Sequence, residues 1–202
     1  MKTCWTSRSK ALVAALAVTA MTTSAGPTPA SAADSVSAAG PTTSFGVLKT
    51  QLNTGGYLKV IAIQNGSTAN GASAILYYYE PYNVENDLVI RTVEANGATR
   101  FMPKHTDSDD QNPFNDKCLA VQGASKDNYA KIVNATCTYD LVNNDVWFHH
   151  GSFAGGYRSY RNQHSGKCMV VQGASTNNGA AIIQYDCNGA PNSAWSYEGP
   201  PN

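Results

Sequence analysis

The sequence predicts an all-β domain built from repeated units, on the strength of three observations. First, NDKCLAVQGASKDNYAKIVNATC (residues 115–137) matches SGKCMVVQGASTNNGAAIIQYDC (residues 165–187) at 11 of 23 positions without a gap. Second, each unit places short runs of apolar and β-branched residues on either side of a dense turn segment such as GASTNNG. Third, no long stretch after the N-terminal region has the 3.6-residue periodicity of an amphipathic helix. Regularly spaced turns of this kind favour a closed barrel or a sandwich.

A third and weaker copy of the unit lies upstream of the other two. Residues 64–79 align with residues 172–187 at a constant offset of 108 positions. Before this segment two registers are open, because GGYLKV aligns with GKCMVV if three residues are inserted, whereas the constant offset needs no insertion. The first cysteine is then replaced by Tyr57 or by Val60, and the second by Tyr79 in both registers. Three copies predict pseudo-threefold closure, which protects strand edges.

The four cysteines of the two clearer copies are predicted to form two disulfides. Three pairings exist, but only Cys118–Cys137 and Cys168–Cys187 give each copy the same bridge across an interval of 19 residues. Each bridge would contribute roughly 3 kcal/mol in the chain-entropy model. Zinc binding is the alternative, but the sequence has no C-x-x-C pair and an exported chain meets an oxidising environment. Neither a metal site nor a cofactor is therefore predicted.

Residues 1–32 are predicted to be a secretory signal peptide, which implies an extracellular protein. Three basic residues precede an apolar run of 11 residues, and the small-residue triplet Ala30-Ser31-Ala32 follows. A membrane span needs about 20 apolar residues, so no membrane insertion is predicted. Residues 33–44 are predicted to be a flexible leader because they are rich in Ala, Ser, Pro and Gly. One domain is expected over residues 45–199, with lobes at about 45–98, 99–150 and 151–199.

Charge and motif content argue against nucleic-acid binding and against catalysis. Cleavage near Ala32 would leave 11 basic and 14 acidic side chains, a net charge of −3, which does not attract a polyanion. The sequence has no G-x-S-x-G, G-x-G-x-x-G or P-loop motif. The segment HTDSDDQN, residues 105–112, lacks the sixth-position glycine and the distant glutamate of an EF-hand loop. His149 and His150 are adjacent, so in a strand they point to opposite faces.

The segment SGKCMVVQGASTNNGAAIIQYDCNGAPNSAW, residues 165–195, resembles the ricin B-type lectin repeat, whose members form a β-trefoil and bind carbohydrate. The resemblance extends over about 155 residues and is clearest in the third copy and weakest in the first. The family's Q-x-W signature corresponds to Ser193-Ala194-Trp195 and Asp145-Val146-Trp147, with Asp87-Leu88-Val89 as its vestige in the first copy. The tryptophans are expected to fill the core of their lobes. The resemblance implies a carbohydrate-binding module, and together with the predicted signal peptide it predicts a secreted, non-catalytic protein whose partner is a glycan or polysaccharide.

The same resemblance identifies four candidate carbohydrate-binding residues. In the family, an aromatic residue two positions before the second cysteine stacks on the sugar, and here that position holds Tyr185 and Tyr77. An asparagine three positions before the tryptophan corresponds to Asn192 and Asn86. The alternative is a structural role, because tyrosines in strands also pack and turn asparagines also bond to their own backbone.

The family's principal sugar acceptor, an aspartate two residues after the first cysteine, is missing from every copy. Its position holds Ala120 and Val170 in the second and third copies, and Lys59 or Ala62 in the first, depending on the register. Losing one acceptor typically costs about 1 to 3 kcal/mol, which would weaken a sugar site about tenfold to a hundredfold. An altered or extended glycan specificity is therefore predicted.

A protein partner is the alternative to a sugar, as for a toxin-delivery subunit or a secreted inhibitor. The uniform loss of the aspartate favours this hypothesis, and so does the tyrosine-rich segment YYYEPY, residues 77–82. Tyrosine is enriched at protein interfaces because it combines a large apolar ring with a polar hydroxyl.

Overall fold

The computed structural model describes residues 40–52, 54–80, 86–107, 116–138 and 143–200. The predicted signal peptide, most of the predicted leader, and parts of segments 77–82 and 105–112 lie outside the described residues. Among the helical turns that are described, none has the length and apolar character needed to cross a membrane.

Twelve strands and short 3-10 turns make up the regular structure of the described residues, so the predicted all-β class is confirmed. The strands are β1 (Thr42–Thr50), β2 (Lys59–Ile63), β3 (Ala74–Tyr78), β4 (Val89–Val93), β5 (Thr99–Pro103), β6 (Lys117–Val121), β7 (Ile132–Thr136), β8 (Trp147–Ser152), β9 (Arg158–Asn162), β10 (Cys168–Val171), β11 (Ala180–Tyr185) and β12 (Trp195–Glu198). Strand β1 includes the last three residues of the predicted leader, because Thr42, Thr43 and Ser44 pair with Val93, Thr92 and Arg91.

Six of the strands close a barrel, an arrangement that removes unpaired sheet edges. The first and fourth strands of each lobe pair antiparallel around a ring in the order β1, β4, β5, β8, β9, β12 and back to β1. The other six strands form one hairpin per lobe: β2–β3, β6–β7 and β10–β11. A six-stranded barrel with one hairpin per lobe is a β-trefoil, so the predicted fold is confirmed.

The hairpins determine the register of the first copy. Val60 lies opposite Tyr77 in the first hairpin, and Cys168 lies opposite Tyr185 in the third. Both residues of the first pair precede their counterparts by 108 positions, so the constant offset continues through β2 and no insertion occurs. Val60 thus takes the position of the first cysteine, while Tyr57 precedes the strand.

Both predicted disulfides are present, Cys118–Cys137 and Cys168–Cys187, each with a Cα–Cα distance of 5.0 Å. The first lobe keeps the same backbone arrangement without a bridge. The Tyr79 N–H donates to the Leu58 carbonyl at 2.9 Å, just as the Cys137 N–H donates to the Asp116 carbonyl at 3.0 Å.

The double substitution Val60→Cys with Tyr79→Cys is expected to form a third disulfide, because these residues occupy the cysteine positions of the other lobes. Closing the loop should raise the free energy of unfolding by about 2 kcal/mol. Non-reducing peptide mapping and urea denaturation with and without reductant would measure both effects. In the control, Tyr57→Cys with Tyr79→Cys, no bridge is expected. The Tyr79 N–H donates to the Leu58 carbonyl, and Tyr57, the residue before Leu58, points to the other face of the hairpin. A bridge in the control alone would contradict the register.

One continuous apolar cluster fills the inside of the fold. Its largest members, Trp147 and Trp195, are fully buried, and their indole N–H groups donate to the carbonyls of Leu119 and Met169 at 2.9 Å each. Val89 takes the equivalent position in the first lobe and is 2% exposed. The tryptophans therefore fill the core, as expected from the sequence.

The three hairpins are linked in a ring by equivalent backbone hydrogen bonds. The N–H groups of Gly71, Tyr129 and Gly179 donate to the carbonyls of Asn134, Gln184 and Leu76 at 2.7, 3.0 and 2.8 Å, respectively. Each donor lies in the turn of one hairpin and each acceptor in the second strand of the next hairpin. Each acceptor is the residue that precedes the candidate aromatic position of its lobe.

Candidate functional site

Tyr185 lies at the end of β11, on an apolar cluster that is separate from the barrel core. This cluster contains Cys168, Val170 and Ile183. The Tyr185 ring also meets the Tyr129 ring of the second lobe edge to face, with 5.1 Å between the ring centroids and 65° between the ring planes. A hydrogen bond with the Tyr129 side chain raises the pKa of Tyr185, so its hydroxyl is protonated at neutral pH. The aromatic candidate of the third lobe thus has a partner from another lobe.

Tyr77, the corresponding residue of the first lobe, is half-buried and has a partner from its own strand. Its ring stacks on that of Tyr78, with 4.7 Å between the centroids and 23° between the planes. A hydrogen bond with Glu80 raises the pKa of Tyr78, which keeps that hydroxyl protonated as well. The position holds Ala135 in the second lobe, so the three lobes present different surfaces here.

The candidate asparagines bond to the backbone of their own lobes. The Asn192 side-chain N–H donates to the Val171 carbonyl at 2.9 Å, and the Asn86 side-chain oxygen accepts from the Ile63 N–H at 3.0 Å. These bonds attach each amide to the last residue of β10 or β2. Cys168, which lies opposite Tyr185, is three residues from Val171 along β10, a distance of about 10 Å at strand spacing. Asn192 and Tyr185 are therefore anchored at opposite ends of the strand.

The position of the missing aspartate is apolar and buried in all three lobes. Ala62, Ala120 and Val170 are 2%, 1% and 3% exposed, and they lie opposite Ile75, Val133 and Ile183, respectively. Of the two residues left open for the first lobe, Ala62 is the equivalent one. Lys59 instead directs its ammonium group to the Asn178 side-chain oxygen at 2.7 Å. A carboxylate at any of these three positions would be buried among apolar side chains, which is costly without a partner.

Two aspartates take the place of the family's glutamine in the first and second lobes. Asp87 accepts a hydrogen bond from the Glu80 N–H at 3.2 Å, and Asp145 accepts from the Thr138 N–H at 2.7 Å. Burial raises the pKa of Asp87 to about 6. Each carboxylate holds the chain segment that follows the second cysteine position, so its contacts are internal to the fold.

The adjacent histidines make separate contacts. The His149 ring lies 3.2 Å from the Ser152 hydroxyl. His150 lies beside the Cys168–Cys187 disulfide, and its ring nitrogen and the two sulfurs are within 4.8 Å of one another. Because the two sulfurs are bonded to each other, they are not thiolate ligands for a metal.

A shallow, open cleft lies between the β1–β2 connection and the third lobe. Its lining includes Lys49, Tyr57, Lys59 and Tyr157. None of the four candidate carbohydrate-binding residues contributes to this lining. The cleft is therefore separate from the positions that the sequence pattern identifies.

Asp186 is a charged residue next to the candidate aromatic position in the chain, and sequence reasoning missed it. It follows Tyr185 directly, and its carboxylate accepts hydrogen bonds from Lys167 at 2.6 Å and from the Asn128 amide at 2.8 Å. The bonds with Lys167 and then Asn128 lower the pKa of Asp186, so it is charged at neutral pH. The equivalent positions hold Thr136 and Tyr78, so comparing the repeats does not single out an acid here.

Sequence comparison relates this arrangement to a known domain. A family model described as a ricin-type beta-trefoil lectin domain-like family matches residues 111–185 and 143–200. None of the curated proteins is significantly similar to the chain.

Among solved structures, the designed 3-fold symmetric protein ThreeFoil is 27% identical to the chain, with a TM-score of 0.62, over 76% of this chain and 96% of that one. An exo-beta-1,3-galactanase from Clostridium thermocellum is 21% identical, with a TM-score of 0.60, over 76% and 29%. The C-half of an earthworm R-type lectin in complex with GalNAc is 17% identical, with a TM-score of 0.53, over 76% and 97%. The chain thus spans under a third of the galactanase, and the last two likenesses show the fold alone.

Proposed function

The chain carries a ricin-type β-trefoil lectin-like domain, and from this premise we propose that it is a secreted, non-catalytic carbohydrate-binding protein with an altered sugar site. The observation that carries the proposal is Tyr185 at the end of β11, whose ring is held edge to face against the Tyr129 ring of the neighbouring lobe. A sugar needs an apolar face for its C–H surface and fixed polar groups for its hydroxyls. The Tyr185 ring supplies the apolar face, at the position where the family places its stacking residue.

The altered site follows from the apolar residues at the aspartate position. With Val170 and Ile183 buried against each other, the third lobe offers no acceptor at that point of the hairpin. A ligand must then form its hydrogen bonds with other groups of the protein. The sugar specificity of the site is therefore expected to differ from that of the family. The two disulfides support the extracellular part of the proposal, because such bonds persist in oxidising compartments. The absence of catalytic motifs from the sequence supports a non-catalytic role.

The test is carbohydrate binding by the protein recovered from the medium after expression of the full chain. N-terminal sequencing should find a start near residue 33. A glycan array and pull-downs with neutral and acidic polysaccharides are expected to return at least one ligand. Tyr185→Ala should weaken binding at least about tenfold, which corresponds to about 1.4 kcal/mol of lost contact. Tyr77→Ala is the matched variant in the first lobe, and its loss of binding should be smaller because the Tyr77 ring is stacked on Tyr78.

Binding to no carbohydrate at high loading would contradict the proposal. Retention of an intracellular, uncleaved chain would contradict its secreted part. Thermal unfolding of both variants separates loss of a contact from loss of the fold.

A protein partner is the second candidate function, and the stacked Tyr77–Tyr78 pair favours it. The pair presents two tyrosines from one strand end, a composition that is enriched at protein interfaces. Affinity purification from the medium would then return a protein that wild type retains and Tyr78→Ala loses, with no glycan bound by either. Retention of glycans alone would contradict this second function.

A further inference from the structure

Each lobe contributes one residue of its last strand to the same layer of the barrel interior. Residues directly opposite each other in an antiparallel pair place their side chains on the same face of the sheet. The opposite residues here are buried in the core, so the three last-strand residues also face inward. The pairs are Arg91 with Phe101, His149 with Tyr160, and Tyr197 with Leu48.

This layer lies toward the end of the barrel remote from the hairpins, which we call the far end. Its three last-strand residues follow Val89, Trp147 and Trp195 by two positions, and each last strand runs away from its hairpin. The layer therefore brings an arginine, a histidine and a tyrosine of different lobes together on the inner face of the barrel. Polar residues at such positions need partners.

The Arg91 guanidinium is held against an aromatic ring. Its central carbon lies 4.1 Å from the centroid of the Tyr197 ring, a cation–π contact. Tyr197 is fixed in turn, because its hydroxyl donates to the carbonyls of Ser44 and Val89 at 2.8 and 3.1 Å. The stacking orients the guanidinium but supplies no negative charge.

No acidic side chain of the described residues forms an ion pair with Arg91. Its Nε atom is buried and has no hydrogen-bond acceptor within the described part of the chain. Glu94 and Glu198, which adjoin the same strands, pair instead with Arg100 and Lys49. A half-buried cation without a counter-charge is costly, and its N–H group remains available as a donor.

A second arginine lies at the same end of the barrel. Arg158 begins β9 two residues before Tyr160, so both side chains lie on the same face of the strand. Burial raises the pKa of the Tyr160 phenol, whereas the nearby charges of Arg91 and Arg158 act in the opposite direction. The phenol is therefore protonated at neutral pH, and both guanidinium groups lie near it. Within the described ranges, Arg158 also has no acidic partner.

We propose that the far end of the barrel binds an oxyanion, a carboxylate or sulfate group, through Arg91 and Arg158. The planar guanidinium fork matches the oxygen atoms of such groups and forms strong, charge-assisted hydrogen bonds with them. Arg91 is half-buried and Arg158 is exposed, so a ligand from solvent reaches both. The protonated Tyr160 hydroxyl is a further donor beside them.

This site goes beyond the proposed function, because it lies inside the barrel and shares no residue with the aromatic positions of the hairpins. Its ligand is either a free anion or the acidic group of a saccharide, and both present the same oxygen atoms to the arginines. Sulfate and glucuronate separate these two sources.

The test measures binding of sodium sulfate and sodium glucuronate by the secreted full-length product, using calorimetry at constant ionic strength. Arg91→Met and Arg158→Met each remove one guanidinium and should weaken sulfate binding at least about tenfold, the effect of one lost charge-assisted contact. Arg161→Met is the matched control. Arg161 is an exposed arginine of the same strand, but it follows Tyr160 directly and so points to the outer face. Its sulfate affinity should equal that of wild type.

Binding of glucuronate that falls in the same two variants would assign the site to acidic saccharides, and binding of sulfate alone would assign it to free anions. Both results support the site. Unchanged affinity in Arg91→Met and Arg158→Met, or an equal loss in Arg161→Met, would overturn it. So would a wild type that binds neither anion, and neutral-glycan binding that depends on Tyr185 would then leave the proposed function intact. Thermal unfolding checks that each variant folds, and the exposed Arg158 decides the outcome if Arg91→Met does not.

Discussion

Replacing Trp195 with alanine is expected to lower the free energy of unfolding by about 3 to 5 kcal/mol, the typical cost of removing a buried aromatic side chain from a core. The indole is fully buried, and its N–H is the donor to the Met169 carbonyl. The substitution therefore removes a large packed volume and also leaves a buried acceptor without its partner. Urea denaturation followed by circular dichroism measures the change.

Trp195→Phe is the matched control because it keeps an aromatic ring in the core and removes the hydrogen bond. Its cost should be about 1 to 2 kcal/mol, clearly less than that of alanine. A loss below about 1 kcal/mol for Trp195→Ala would show that the third lobe does not depend on its tryptophan. Val89 occupies the equivalent position in the first lobe, so the core of that lobe is filled by a smaller side chain.

Replacing Gln184 with leucine is expected to cost about 2 to 4 kcal/mol, although leucine is the more apolar residue. The Gln184 side chain is fully buried, and its amide N–H groups donate to the carbonyls of Ser125 and Asp127 at 3.0 and 2.8 Å. Its oxygen also accepts from the Ser165 hydroxyl at 2.6 Å. Leucine would leave these groups without their partner, and a buried polar group that loses its bond carries the full cost of desolvation. Equilibrium unfolding in urea measures the effect.

Asn134→Leu is the control for Gln184→Leu, since Asn134 takes the same position in the second lobe. The Asn134 side chain donates a hydrogen bond to the Ser67 carbonyl at 3.3 Å, so the cost should be about 1 kcal/mol. Leu76 already fills the position in the first lobe. Equal costs for the two variants would contradict the view that Gln184 holds the second and third hairpins together through its polar contacts.

Much of the fold was predictable because its determinants are local. The repeat of residues 115–137 and 165–187 contains two strands, a turn and a disulfide within about 20 residues, so one unit carries the information for one hairpin. The cysteine spacing predicted both bridges, and the family pattern predicted that the tryptophans fill the core. The first copy could be recognised by the same pattern even though both of its cysteines are replaced.

The candidate site was less predictable because its contacts join different lobes. The pattern identified Tyr185, but nothing near it in sequence points to Tyr129, which belongs to the preceding lobe. An alignment of the repeats does not identify Asp186 as a site residue, because the equivalent positions hold Thr136 and Tyr78. The register of the first copy also stayed open until strand pairing placed Val60 opposite Tyr77.

By itself, the sequence determined three units, their hairpins, two disulfides and an all-β class, since each of these depends on residues close together in the chain. The tertiary structure alone decided that β1 closes the barrel against both β4 and β12, and that each hairpin turn meets the next lobe. That ring of contacts brings Tyr129 to Tyr185 and Asn128 to Asp186. The physical reason is that such contacts form only when the pseudo-threefold barrel closes, because strand pairing between lobes then fixes which side chains share a surface.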